Sequence, residues 1–303
     1  MNLKIIAGPC SISKNNLKDI YEIADIQINN KYVIWGTRVV GLKSRTNFGH
    51  GMGIDFLRFI YQFKNFYDKN KIIKTKILPS IKISKKIIKE TNLLIATEIM
   101  DPILQLSLYS GNIPKNKLLV WNPAVNQLGW PIYLMAKFVK KNSWYLGIKN
   151  PKWVGDYLKN VNNHQFKGRT SCEKTWEGLV SYANVLSRKR IFLIHRGVDV
   201  PEKGKYRNAP VHYLAMRVKK HTNCLLFFDP SHSHGPQMKE KIIPETIKAM
   251  KMKFPDGQFV YDGILIEVGN SETDKEQHLT LDEFKKLVFS LSKIRTLESR
   301  IVY

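Results

Sequence analysis

The sequence predicts a single (β/α)8 barrel with a long insertion after its fifth strand, and three observations lead to that fold. Eight short runs of apolar, β-branched or aromatic residues recur along 303 residues. Longer segments with helical periodicity separate them. Polar or charged residues stand at nearly every C-terminal end of a run. In order, the runs are KIIA (4–7), YVIWG (32–36), LLIATEI (93–99), LLVW (118–121), WYLGI (144–148), IFLI (191–194), CLLFF (224–228) and GILIEV (263–268). Strands covered on both faces read as near-continuous hydrophobic runs, and intervening helices such as 15–26, 53–66, 81–91 and 131–140 supply the crossovers that parallel strands require. Eight such units in about 300 residues is barrel arithmetic. An open doubly wound sheet would want a G-x-G-x-x-G loop after an early strand, and the sequence has none there. The chain 1–303 is therefore read as one catalytic barrel. No separate regulatory domain is expected, because a few residues precede the first strand and ten follow the last helix, 281–293.

Two connections exceed the usual length, 67–80 and 152–175. The second leaves the fifth strand at the end where barrel active sites are built. It is either a surface insertion or a lid that contributes to the site.

Composition narrows the function classes. At 43% hydrophobic the chain has ample material for a core, which excludes wholesale disorder. No apolar run is long enough for a membrane helix, and the start, MNLKIIAGPCSIS, lacks the apolar stretch of a signal peptide. A cytoplasmic protein without a membrane partner is expected. Cys10, Cys172 and Cys224 are odd in number and far apart, so each is read singly and not as part of a disulfide framework. Lys+Arg 49 against Asp+Glu 25 gives a net charge of +24. That charge suits nucleic acid or small multiply anionic substrates. Much of it lies in stretches such as KISKKIIKE, where Lys and Ile are enriched together on what read as solvated faces, so no nucleic-acid partner is assigned.

The strand exits carry GPC (8–10), TR (37–38), TE (97–98), N-P (122–123), KN (149–150), HRG (195–197), DPSH (229–232) and IEV (266–268). In a barrel these converge on one mouth. Cys10, His232, Glu267 and Asp274 form a first group there, a thiolate, an imidazole and two carboxylates. Such a set suits Mn2+, Fe2+, Co2+ or Zn2+ better than Mg2+. Asp229 is placed to orient His232. A second group is cationic: Arg38, Lys43, Arg45, Lys149, Arg196 and Arg207. Guanidinium groups clamp phosphate and carboxylate in two-point fashion and lysine adds a point charge, so more than one anionic group is implied.

The motifs GPCS (8–11), R-x4-K-x-R-T (38–46), ATE (96–98), KN, HRG, KYRN (205–208), DPSH and DG-x3-E-V with D-x2-Q (262–277) resemble, in order, those of the 3-deoxy-D-arabino-heptulosonate 7-phosphate (DAHP) synthases. That family condenses phosphoenolpyruvate with erythrose 4-phosphate at the head of the shikimate pathway, which leads to the aromatic amino acids. The resemblance implies a metal-dependent transferase whose metal ligands are Cys10, His232, Glu267 and Asp274. It implies that Arg38, Lys43, Lys149 and Arg196 bind phosphoenolpyruvate and that Arg45 and Thr46 hold the aldose phosphate. Lys43, as proton donor, joins His232 and Cys10 as the residues read as catalytic. Ser44-Arg45-Thr46 and Pro230-Ser231 favour the four-carbon acceptor over arabinose 5-phosphate, the substrate of the related KDO-8-phosphate synthases. A homo-oligomer is expected. One departure is Val125, which stands where the family carries an arginine for the phosphoenolpyruvate phosphate. Arg169, in the run FKGRT of the insertion, is either a replacement or a solvated side chain, with the remaining cations sufficing, and a degenerate barrel without activity is a further reading of the same loss.

Overall fold

The computed structural model describes residues 1–42, 73–152, 169–200 and 203–302, and between 43 and 72 the backbone of a short ribbon pairing Thr46–Asn47 with Gly51–Met52. Eight parallel strands close into a barrel: β1 (Lys4–Gly8), β2 (Gly36–Arg38), β3 (Leu94–Glu98), β4 (Leu118–Trp121), β5 (Tyr145–Lys149), β6 (Ile191–His195), β7 (Leu225–Phe228) and β8 (Gly263–Glu267). Each pairs with its neighbours in sequence, and β1 pairs with both β2 and β8. No helix among the described residues is long and apolar enough to cross a membrane.

Side chains alternate between two cores, as strand geometry requires. Ile6, Leu94, Ala96, Leu119, Phe192 and Leu265 fill the barrel interior. Their neighbours Ile5, Ile95, Val120, Leu193, Leu226 and Ile264 pack outward with the helices. The N-terminal end of the barrel is stoppered by aromatic rings. Phe192 stacks on Phe227 at 4.9 Å and on Tyr145 at 5.3 Å between centroids, with Trp35 against Phe192 at 5.7 Å. The polar residues of the strand exits stand at the opposite, C-terminal end.

The outer layer includes α1 (Leu17–Ala24), α2 (Leu78–Thr91), α3 (Pro102–Tyr109), α4 (Gly129–Asn142), α5 (Ser171–Ser181), α6 (His212–Thr222), α7 (Pro230–His234), α8 (Ile242–Lys251) and α9 (Leu281–Ser292). Helix α5 begins at a capping box, in which Thr170 accepts the Glu173 N–H while Glu173 reaches back to the Thr170 N–H. The predicted helix 53–66 lies outside the described residues, as do 153–168 of the insertion.

Two boundaries differ from expectation. The second run, 32–36, is not one strand. Asn29 and Asn30 take left-handed φ values of 50° and 60° and turn Gln27–Ile28 back on Lys31–Tyr32, so the run is shared between a small hairpin and the barrel strand that starts at Gly36. The long connection 67–80 is shorter than it reads, because a π-helical turn over Ile73–Ile77 leads directly into α2, where Pro79 sits in the tolerated first turn.

Candidate active site

The mouth residues are assembled by local rules that the motifs encode. In D-P-S-H, Asp229 is the N-cap of α7 and accepts the His232 N–H at 3.2 Å, and Pro230 occupies the first helical position. The same carboxylate accepts from His232 Nδ1 at 3.0 Å. Ser231 Oγ accepts the Glu267 N–H at 3.0 Å, tying α7 to the end of β8. Asparagines perform a parallel task at other exits. Asn122 Oδ1 accepts the Lys149 N–H at 3.0 Å, and Asn150 Oδ1 accepts the Arg196 N–H at 2.8 Å. Each thus fixes the backbone of the cation on the next strand.

Cys10, His232, Glu267 and Asp274 meet. Each offers one ligand atom, and all four atoms lie within 4.8 Å of one another. Cys10 Sγ is 3.3 Å from Asp274 Oδ2, and His232 Nε2 is 3.6 Å from Glu267 Oε1 and 3.8 Å from Asp274 Oδ2. Ligand bonds of about 2.0–2.3 Å in a tetrahedral shell set donor atoms about 3.5 Å apart, so the four could hold one transition-metal ion once the widest-spaced donors draw in by about 1 Å. Register explains the convergence, since Gly8 and Glu267 are opposite one another at the rim and bring the first and eighth exits to one height. Asp274 reaches inward from the following loop with φ at 52°, a left-handed conformation that Asp tolerates better than most residues.

The protonation states suit ligation. Burial pushes Asp229 up, but His232, Lys149 and Arg38 together outweigh it and bring its pKa down to about 2. Burial lowers His232 to about 4, against the opposing pull of Asp229 and Glu267. His232 is therefore neutral at pH 7, donates from Nδ1 to the ionised Asp229, and turns the Nε2 lone pair toward the cluster.

Beside the cluster lie three buried cations. Arg38 and Lys149 share the face of Trp121, at 5.8 Å and 5.3 Å from a ring centroid. Arg38 Nη2 is 3.0 Å from Glu267 Oε1, and Lys149 Nζ is 3.4 Å from Glu98 Oε1. Burial lowers the Lys149 pKa. Arg196 is 5% exposed and has no carboxylate partner among the described residues; burial, reinforced by Arg207, brings it down to about 10, still charged at neutral pH. Its Nε, like Nε and Nη1 of Arg38, has no hydrogen-bond partner. Buried guanidinium donors without acceptors are costly and call for an anion. A cleft of about 720 Å3 opens over them, lined by Glu98, Val125, Lys149, Arg196, Arg207 and His232 among others. Lys203–Arg207 line one side of it, and the loop they belong to can lie close because Gly197, with φ of 81°, leaves room for the Asn208 carbonyl, 2.3 Å from where a Cβ would sit.

Of the residues the sequence singled out, Cys10, Arg38, Lys149, Arg196, His232, Glu267 and Asp274 are brought together. Lys43 and Arg45 lie outside the described residues, and Thr46 is described only as backbone paired with Met52. Arg169 is a correction. Its guanidinium binds Glu173 at 3.1 Å and also Glu177, on the helix it precedes, and it does not line the cleft beside Val125. The i,i+4 spacing of Arg169 and Glu173 already carried that signal. Sequence reasoning placed Glu98 at a strand exit but gave it no role, and it is the acid that faces Lys149. The same reasoning missed Trp121 as the shared platform, and Gln277, which donates to Glu267. No protein-family model matches the chain, and no curated protein matches it.

Proposed function

We propose that the chain is a metal-dependent synthase of the DAHP type, joining phosphoenolpyruvate, erythrose 4-phosphate and water to give DAHP and inorganic phosphate. The observation that carries this reading is the juxtaposition of a four-donor cluster with buried guanidinium N–H groups of Arg38 and Arg196 that lack acceptors, at the mouth of one barrel. A thiolate-containing set selects a transition metal, which when bound would supply Lewis acidity toward an aldehyde oxygen. The chain's own residues do the rest. Arg38, Lys149 and Arg196 grip the phosphate and carboxylate of phosphoenolpyruvate in a pocket where burial strengthens every charge interaction. As C3 of phosphoenolpyruvate attacks the aldehyde carbon, the alkoxide takes a proton, for which Lys43 is the assigned donor. Water adds at C2, and phosphate leaves by C–O cleavage with its charge held by Lys149 and Arg196. Arg45 and Thr46 are assigned to the acceptor's phosphate. Holding both substrates in one geometry accounts for much of the acceleration.

The test is phosphate release from phosphoenolpyruvate by protein loaded with Mn2+, Co2+ or Zn2+. Release with erythrose 4-phosphate is the expected result. Release with arabinose 5-phosphate alone would move the chain to the KDO-8-phosphate type, and release with neither would overturn the reading in favour of a barrel without this activity.

A further inference from the structure

Both carboxylates of the metal cluster are divided between two tasks, and one cation stands behind both. Asp274 directs Oδ2 to the cluster, 3.3 Å from Cys10 Sγ, while its Oδ1 is 3.2 Å from Arg207 Nη1. Glu267 directs Oε1 to the cluster, 3.6 Å from His232 Nε2, while its Oε2 accepts from Gln277 Nε2. Gln277 is itself oriented by Arg207, whose Nη1 donates to Gln277 Oε1 at 2.8 Å. With its oxygen so engaged, the Gln277 amide can present only its NH2 to Glu267. Arg207 is anchored in turn to the helix that bears His232, since its N–H donates to the His234 carbonyl at 3.1 Å and the next N–H donates to Ser233 at 2.9 Å.

We infer that Arg207 and Gln277 are positioning residues of the metal site: through one direct contact and one relay they engage one oxygen of each carboxylate and leave the other turned to the ion, so that Glu267 and Asp274 each ligate through a single oxygen. Arg207 lines the cleft and is counted among its cations on position alone, but its guanidinium faces the ligands. The inference rests on the reading that a divalent ion occupies the four-donor cluster.

A charge argument of opposite sign makes this testable. If Arg207 acted only as a nearby positive charge, removing it would tighten binding of a divalent cation. If it positions two ligands, removing it weakens binding. The full-length chain, stripped with chelator, is titrated with Mn2+ while the EPR signal of the free aqua ion is followed. Arg207→Ala and Gln277→Ala are each expected to weaken Mn2+ binding by about 10- to 100-fold, the usual consequence of losing a partner that orients a metal ligand. Lys205→Ala, which removes a cation from the same loop without touching a ligand, should leave the affinity unchanged or slightly tighter. In Co2+-loaded Gln277→Ala the thiolate absorption band should persist while the visible ligand-field bands shift. Unchanged or tighter Mn2+ binding in both ligand-facing variants overturns the positioning role alone. Absence of Mn2+ binding by the unsubstituted chain overturns the metal reading with it. Should Arg207→Ala fail to fold, Gln277→Ala, which alters no charge, decides the question.

Discussion

Replacing Arg196 by methionine should raise the melting temperature of the protein while abolishing its response to phosphoenolpyruvate. The guanidinium is 5% exposed, its Nε is unpartnered, and no carboxylate lies within ion-pair distance of it among the described residues. Burial and Arg207 lower its pKa from 12.5 to about 10. Both folded and unfolded chains hold the proton below pH 10, so the full penalty applies at pH 7, and it is relieved only as pH rises from about 10 toward 12.5. Two and a half pKa units correspond to about 3 kcal/mol of destabilisation. Methionine keeps most of the aliphatic volume and drops the charge, so a net gain of about 1–3 kcal/mol, or a few degrees, is expected. The backbone is not disturbed, because the Arg196 N–H remains bound to Asn150 Oδ1. Differential scanning fluorimetry with and without phosphoenolpyruvate reads both effects. At about 100 times its dissociation constant the ligand should stabilise the unsubstituted protein by about 2.7 kcal/mol and leave the variant unmoved. A variant that melts several degrees lower, or that gains as much from phosphoenolpyruvate as the parent, would refute the argument that Arg196 is held unpaired for an anion.

Three further perturbations separate the cluster, the barrel and the outer helices. Cys10→Ala should lower the affinity for Co2+ and remove its thiolate absorption band, whereas retention of that band would assign the sulfur ligand elsewhere. Gly147→Ala should cost about 1–3 kcal/mol in urea unfolding, because the added methyl would lie 2.8 Å from Ile194 Cδ1 and 2.9 Å from Trp121 Cβ inside a filled barrel; a neutral result would mean that β4 and β5 separate easily. Burial, with His234 and Lys248, lowers His212 to about 4. Its contribution is therefore complete above pH 6.5 and is lost as pH falls toward 4, by up to about 3 kcal/mol. His212→Gln, which can still bond the Tyr261 hydroxyl, should flatten the fall in urea midpoint between pH 7 and 4.5, and an unchanged fall would exclude His212 as its source.

What was legible in the sequence follows from what a barrel imposes on it. Strands covered on both faces must be apolar, and the first polar residue after each marks the mouth. Cys10, Arg38, Lys149, Arg196, His232 and Glu267 could therefore be placed on one rim without any compact motif linking them. The hairpin at Asn29-Asn30 was not legible in the run YVIWG, because apolar continuity there hides a change of partner. Arg207 and Gln277 were not legible as a pair, since their meeting depends on how two loops settle over α7 and on no periodicity. Arg169 was misplaced because aiming it at the cleft ignored Glu173 and Glu177, which stand nearer in sequence and on the same helix.

If the proposed function holds, the charges at the mouth predict that metal and substrate favour each other's binding. Among the described residues, Arg38, Lys149 and Arg196 face Glu98, Asp229 and Glu267, all six nearly excluded from solvent, and the half-buried Arg207 is paired with Asp274. With His232 neutral, the set is balanced. A divalent ion arriving alone adds two positive charges and, through release of the Cys10 proton, recovers one negative charge. The remainder is uncompensated in a place where burial makes each unit of charge expensive. An anion arriving alone meets Arg38 and Lys149 already engaged by Glu267 and Glu98, which leaves Arg196 as the buried cation without an ion-pair partner among the described residues. Bound together they offset one another's charge, since the ion would take Glu267 as a ligand and release the Arg38 donor that Glu267 holds to the phosphate or carboxylate of the substrate. By linkage each must then tighten the other's binding equally, so the Mn2+ titration repeated in saturating phosphoenolpyruvate should show higher affinity. Equal affinity with and without it would mean that Arg38 keeps Glu267 when the site is filled.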